Sequence, residues 1–495
     1  MEKYDIMKSE VDMYHISDIK RFLRCERLYS YKKDENSVFR PYLRSDDNIF
    51  ELIKVFLGIE NCYEGVRNDP ADRFFSEIDH YDWFIHPRFM DNQMRMNIPF
   101  MHKKDGCFDL YFLYYGTIVK ELDLLTYRIN TQVLERQGIR TDDVYLIYLN
   151  GDYVNEGEMD PSRLFVCTDT FKGKKIRDLI AQDSVDYEDC IRKMEEFDPE
   201  SQPAKKGRYC RMMGLCEYYE RCFPDEEDEA DDSILTLVSS ANKNKMYRQG
   251  ILTLKDADPD QLEGSKVQYA QIMASRNNGV FVDRYPLKLW LEKLSERPIS
   301  FIDFEWDCYL LPVYEKMKPL DDVCFEFALY YIDEKGHMEH RTFVSTGDCR
   351  KEFIEALLEY LPEKGPILAY NAQGAECLRL LELAQMFPEY EEKLEAIVAR
   401  FHDLAMPFIE GLVYDIRMQG NYSLKKLVDI CSDYSYQDLD IYDGMEAVYS
   451  WRDIGKGDPE SDDRIVENLK EYCSLDAYGL FLVYKWLIQL IVESK

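Results

Sequence analysis

The stretch ISFIDFEWDCYLLPVY, beginning at Ile299, constrains the fold more than any other segment. It reads as a buried β-strand, yet Asp303 and Glu305 sit one residue apart within it. Side chains alternate along a strand, so the two carboxylates point one way while Ile302 and Phe304 point the other. Like charges on one buried face repel unless a cation lies between them, and a divalent metal ion is the usual solution. The alternative is a strand end at a sheet edge with two solvated acids.

A chain of 495 residues exceeds one ordinary core and predicts several domains. Its apolar and aromatic fractions, 46% and 14%, supply separate cores. The opening MEKYDIMKSEVDMYH is charged and lacks the apolar centre of a signal peptide, and the late run GLFLVYKWLIQLIV is broken by Lys485 and Gln489. That run reads as a core helix, and a soluble, cytoplasmic chain with no membrane partner is expected. The 14 cysteines then sit in a reducing compartment, where metal ligation or burial is favoured over disulfides. A net charge of −33 argues against coating nucleic acid by bulk electrostatics. It is compatible with a local basic groove and with acids gathered around metal ions.

The run PDEEDEADDS, residues 224–233, holds seven acids and no base, and reads as a solvated linker. It divides the chain into a mixed α/β module over 1–223, an acidic linker and helical connector over 224–296, and an α/β domain over 297–495. In the first module ISDIKRFLRCERLYSYKK predicts a helix, and CFDLYFLYYGTIVKELDLL and DDVYLIYL predict strands. In the last domain VCFEFALYYIDE, HRTFVS and PILAYN join the opening strand, with helices at RKEFIEALLEYL, ECLRLLELAQMF, YEEKLEAIVARF, SLKKLVDI and IVENLKEYCSLDAYGLFLVYKWLIQLIVE. Neighbouring strands followed by helices fit a sheet with helices packed on its faces.

Partners for Asp303 and Glu305 lie in this last domain. GPILAYNAQGAECLRLLELA reads as a strand, a turn at Asn371 and a helix with Glu376 in its first turn; ARFHDLAMPF places Asp403 at the start of an element. EYCSLDAYGLFLVYKWL puts Tyr472 and Asp476 four residues apart, on one helical face. Two-metal nucleases need three or four carboxylates around ions about 4 Å apart. A tyrosine one turn from the last acid suits the placing of water.

This order resembles the RNase H-like 3′–5′ exonucleases called DEDD, in the subtype with a tyrosine in the final motif. The resemblance implies Asp303, Glu305 and Asp476 as ligands of two Mg²⁺ or Mn²⁺ ions, and Tyr472 as the residue that positions water. It assigns the middle acid to Glu376, with Asp403 in support, although YNAQGAE has one extra residue and Ala375 in the aromatic slot.

In the first module YCRMMGLCEYYERCF spaces Cys210, Cys216 and Cys222 with five residues between each, and Cys25 lies far upstream. Four such thiols suit a 4Fe–4S cluster, a Zn²⁺ ion, or burial as small hydrophobes. ISDIKRFLRCERLYSYKK resembles the opening of RecB-like PD-(D/E)XK nucleases, including the CRISPR adaptation exonucleases, in which one early and three late cysteines hold 4Fe–4S. That resemblance implies a second nuclease site at Asp109 and Glu121. Its lysine slot holds Asp123, and Lys120 on a strand would face away. A degenerate core that binds or guides nucleic acid is therefore expected, cleavage with a lysine from elsewhere being the alternative.

FIDFEW, ILAYN, RFHDL, YSLKKL and EYCSLDAYG in succession resemble a bacterial family catalogued only as a domain of unknown function, in which a RecB-like module precedes an RNase H-like exonuclease. The expectation is an α/β multidomain, metal-dependent 3′–5′ exonuclease on nucleic acid, DNA before RNA. The competing expectation is a nucleic-acid-binding scaffold that keeps both nuclease folds without turnover.

Overall fold

The computed structural model describes residues 13–492 apart from 33–41, 45–47, 68, 71, 212–215, 225–230, 263, 435, 437 and 438. The charged N-terminal stretch, most of the acidic linker and the centre of the cysteine run lie outside the described residues. The chain is mixed α/β and divides into two compact units, Met1–Tyr209 with Tyr309–Leu320, and Cys210–Cys308 with Asp321–Lys495.

In the first unit, α1 (Ile16–Arg24) and α2 (Glu26–Lys32) replace the single helix expected there. The break is at Cys25, whose φ of −165° and ψ of 118° are extended. After α3 (Ile49–Leu57) comes a six-stranded sheet of β1 (Cys62–Glu64), β2 (Trp83–Ile85), β3 (Phe100–Lys104), β4 (Cys107–Tyr114), β5 (Thr141–Leu149) and β6 (Phe165–Thr168), in that order. The helix α4 (Leu124–Arg136) links β4 to its parallel neighbour β5, a right-handed crossover being the usual solution for such a pair.

The run after Cys308 is not a continuation of strand. Tyr309–Leu320 leaves the C-terminal region and packs in the first unit, where Leu310 and Leu311 are buried with Ile53, Ile85 and Leu149. Leu310 N–H donates to Arg44 O at 3.0 Å, and Asn155 Nδ2 donates to Pro312 O at 2.7 Å. Apolar patterning alone does not tell a strand from an excursion of this kind.

The second unit holds a five-stranded sheet of β7 (Ile299–Cys308), β8 (Asp322–Ile332), β9 (Met338–Val344), β10 (Ile367–Ala369) and β11 (Phe401–Asp403). Its order is β9-β8-β7-β10-β11; β7, β8 and β9 run antiparallel, while β10 and β11 run parallel to β7. Helices α6 (Arg350–Tyr360), α7 (Glu376–Met386) and α8 (Glu391–Val398) bury one face, with Phe304, Phe327, Phe353 and Leu380 in that core. The 34-residue α11 (Pro459–Val492) covers the other face, where Phe301 meets Phe481 and Tyr484 edge-on or tilted. By length and composition α11 is apolar enough to cross a membrane, but its stripe of Leu469, Cys473, Ala477, Leu480 and Leu487 is buried in this unit.

The connector is not a separate segment. Its helix α5 (Lys266–Arg276) and the strand Val280–Val282 join the second unit, the strand pairing antiparallel with Val413–Asp415. Gln271 Nε2 donates to the Tyr414 hydroxyl at 3.0 Å, so a buried polar contact ties the connector to the second unit. The expected boundary at residue 297 thus falls inside a packed unit.

Candidate metal centre

The strand β7 presents Phe301, Asp303 and Glu305 to α11, while Ile302 and Phe304 enter the opposite core. The register with β8 shifts between Glu305 and Trp306, an irregularity of the kind that re-aims side chains beside functional sites. On α11, Cys473 and Ala477 pack against Ala328 of β8. These small side chains bring the helix close to the sheet and carry Asp476 to the acids. Gly479 serves the same approach on the other side, since a Cβ there would lie 2.8 Å from Val428 Cγ2 of α9 (Leu424–Cys431).

One carboxylate oxygen from each of Asp303, Glu305 and Asp476 lies within 4.8 Å of the other two. Burial, then the charges of Asp476, Glu305 and Glu376, push the Asp303 carboxyl well above the usual range. Burial does the same to Glu305, with Asp476 and Glu326 adding repulsion. The donor set is all oxygen and all acidic, and it repels itself as it stands. It fits a hard divalent cation, whose charge would offset both the burial and the repulsion.

Glu376 opens α7 and is 2% exposed. Its charge reaches both Asp303 and Glu305, and its Oε2 meets no hydrogen-bond donor among the described residues. The extra residue of YNAQGAE is absorbed in a turn: Asn371 takes a φ of 59°, Gly374 N–H donates to Asn371 O at 3.0 Å, and Cys377 N–H donates to Ala372 O at 2.9 Å. Asp403 is not one of the three acids whose oxygens cluster, though its charge reaches Glu376. Its Oδ1 accepts from Asn371 N–H at 2.8 Å and Ala405 N–H at 2.9 Å, so it pins the turn that delivers Glu376.

Tyr472 is buried one helical turn from Asp476, and its hydroxyl favours the charged form of that carboxyl. Two further residues of the site carry no signal that periodicity reveals. Tyr436, from an irregular segment, donates to Asp476 Oδ1 at 2.8 Å. Lys425, in the first turn of α9, stands over the rings of Tyr436 and Tyr472, 5.0 and 4.8 Å from their centroids. Burial raises the Asp476 carboxyl, while the Tyr436 hydrogen bond, the Lys425 charge and the Tyr472 hydroxyl oppose it. Burial and the Asp476 charge push both phenols up, so both remain protonated donors. Lys425 lies in the YSLKKL motif, which singled out the segment but not the side chain. Gly444 completes the surround at the start of α10 (Gly444–Asp453), where a Cβ would sit 3.5 Å from Glu305 Oε2.

The two acids of the second expected site have different surroundings. Asp109 is buried on β4 and its Oδ1 accepts from Asp143 N–H at 3.1 Å, whereas Glu121 lines a cavity with Lys20, Arg95 and Asn130. Strand β4 ends at Tyr114, so Lys120, Glu121 and Asp123 are not strand residues. Asp123 caps α4 instead, accepting from Thr126 N–H at 3.3 Å and Thr126 Oγ1 at 2.7 Å, and pairs with Lys20. Of the four expected cluster ligands, Cys25 marks the α1–α2 break in the first unit, and Cys210, Cys216 and Cys222 are half-buried in the second. Cys216 N–H donates to Cys210 O at 2.9 Å.

The second unit is thus an α/β domain bearing a buried acidic cluster suited to a divalent cation. A family described as a domain of unknown function, DUF2779, matches residues 300–423, which span β7 to the start of the α9 segment. No curated protein matches the chain. Among solved structures, the family B DNA polymerase from the hyperthermophilic archaeon Pyrobaculum calidifontis is similar over 40% of this chain, at 16% identity and a TM-score of 0.26. The match covers 25% of that polymerase chain.

Proposed function

We propose that the chain is a metal-dependent nuclease whose C-terminal unit removes nucleotides from the 3′ end of nucleic acid, DNA before RNA. The observation that carries this reading is the convergence of Asp303, Glu305 and Asp476 within 4.8 Å, with Glu376 in electrostatic reach. These four acids would hold Mg²⁺ or Mn²⁺, and two such ions supply Lewis-acid activation of the phosphodiester and of water. The chain's own groups do the rest. Tyr472, held as a protonated phenol, orients water by hydrogen bonding. Tyr436 fixes the Asp476 rotamer, and Lys425 partly balances the acids so that they can stand together. A cavity of about 770 Å³ lined by Lys243, Tyr370, Asn371, Tyr422 and Lys426 offers cations for phosphates and aromatic faces for bases.

For the first unit the Asp123 in the lysine slot, which caps α4 and pairs with Lys20, favours the second reading, a RecB-like core that binds or guides nucleic acid without cutting it. A 4Fe–4S cluster, or Zn²⁺, on Cys25, Cys210, Cys216 and Cys222 belongs to the same proposal, as does a cytoplasmic location. Full-length protein with Mn²⁺ should shorten end-labelled DNA from its 3′ end, and Asp303→Ala should abolish this. Intact DNA and RNA under those conditions would replace the enzyme reading with the scaffold one. Brown protein that loses its colour in Cys216→Ala supports the iron–sulfur assignment, and colourless protein containing zinc overturns it.

A further inference from the structure

Glu326 lies on β8, outside every motif the sequence singled out. Its partner across the ladder is Glu305, so both carboxylates leave the sheet on the face that α11 covers. Ala328, next on that face, packs against Cys473 and Ala477. Glu326 is 0% exposed, and neither of its oxygens meets a hydrogen-bond donor among the described residues. Phe325 and Phe327 on either side are equally buried. A carboxylate without a partner is among the costliest side chains to bury, and an apolar residue would serve the sheet better. The cation whose charge reaches it is Lys470, on an exposed position of α11. Its own charge acts on Glu305, and it feels that of Asp476.

We propose that Glu326 is a fifth acid of the metal centre, a positioning carboxylate that backs Glu305 and strengthens the hold on a divalent cation at Asp303, Glu305 and Asp476. The inference rests on the metal-site reading above and deepens it. Glu326 is not one of the three acids whose oxygens cluster, so its effect is exerted through Glu305 and the local potential. Outer residues of this kind typically change metal affinity by about 10–100-fold.

The test is Mn²⁺ binding to the full chain, read from the electron paramagnetic resonance signal of free Mn²⁺, in wild type, Asp303→Asn, Glu326→Gln and Glu326→Val. The valine variant suits a buried strand and reads the same effect if the glutamine variant does not fold. Thermal unfolding in EDTA reports folding separately. Wild type should bind, Asp303→Asn should not, and the Glu326 variants should bind about 10-fold or more weakly while unfolding no earlier than wild type. Affinity within about twofold of wild type in a folded Glu326 variant would overturn the role of Glu326 and leave the metal site standing. A wild-type chain that binds no Mn²⁺ would overturn both.

Discussion

Replacing Glu376 with Gln separates the stability of the centre from its chemistry. Burial, with a smaller contribution from Asp403, pushes the Glu376 carboxyl from 4.5 up to about 8. In the cation-free protein the native carboxyl therefore keeps a proton that the unfolded chain has already released. That contribution to stability is complete below pH 4.5 and is lost as the pH rises through about 8. At about 1.4 kcal/mol per pH unit, the interval sets a ceiling of about 5 kcal/mol on the loss. Glu376→Gln cannot titrate. In EDTA, urea unfolding at about pH 5 and about pH 8 should show wild type losing ground to the variant as pH rises, by at most about 3.5 kcal/mol over that span. Mn²⁺ should restore the wild type, by about 2.7 kcal/mol at a hundredfold excess over its dissociation constant, and should help the variant less. A stability difference that is flat with pH, or that widens in favour of wild type, would refute the argument that this acid is buried at a cost that a cation relieves.

Three further outcomes follow from the geometry. Tyr472→Phe should lower nuclease turnover by about 10²-fold while Mn²⁺ affinity stays near wild type, since only an orienting hydroxyl is removed; kinetics paired with metal titration check this. Gly479→Ala should destabilise the second unit by about 1–3 kcal/mol in urea unfolding, because the new Cβ would meet Val428 Cγ2 at 2.8 Å. Arg452→Ala should cost about 3–5 kcal/mol by the same assay, because it takes away the guanidinium that holds the 0% exposed Asp307 at 2.6 and 3.1 Å.

Much of the centre was legible where chemistry coincided with a period. Alternation put Asp303 and Glu305 on one strand face, and the four-residue interval put Tyr472 and Asp476 on one helix face. The helices and strands of the last domain were legible for the same reason. Irregular segments were not, because their side chains are aimed by tertiary contacts: Tyr436 reaches Asp476 across 40 residues of chain. What Asp403 holds was not legible either, since it depends on the left-handed turn at Asn371, whose N–H donates to Asp403 Oδ1 together with that of Ala405. Glu121 and Asp123 were drawn into a strand because an apolar, β-branched run precedes them, whereas helix capping claims Asp123. Domain limits failed where apolar runs serve a distant core, as in Tyr309–Leu320 and in the connector bound through Tyr414.

By itself the sequence determined the element types, the acidic pair on β7, the Tyr472–Asp476 face and a composition rich enough in apolar residues for more than one core. Those depend on periodicity and residue chemistry, which are local. Only the tertiary structure decided that oxygens of the three acids come within 4.8 Å of one another, that Lys425 and Tyr436 attend them, and that Glu326 lies opposite Glu305 with no hydrogen-bond donor among the described residues. Ladder register and helix-to-sheet distance set those relations, and both depend on small side chains such as Cys473, Ala477 and Gly479 meeting surfaces far away in the chain.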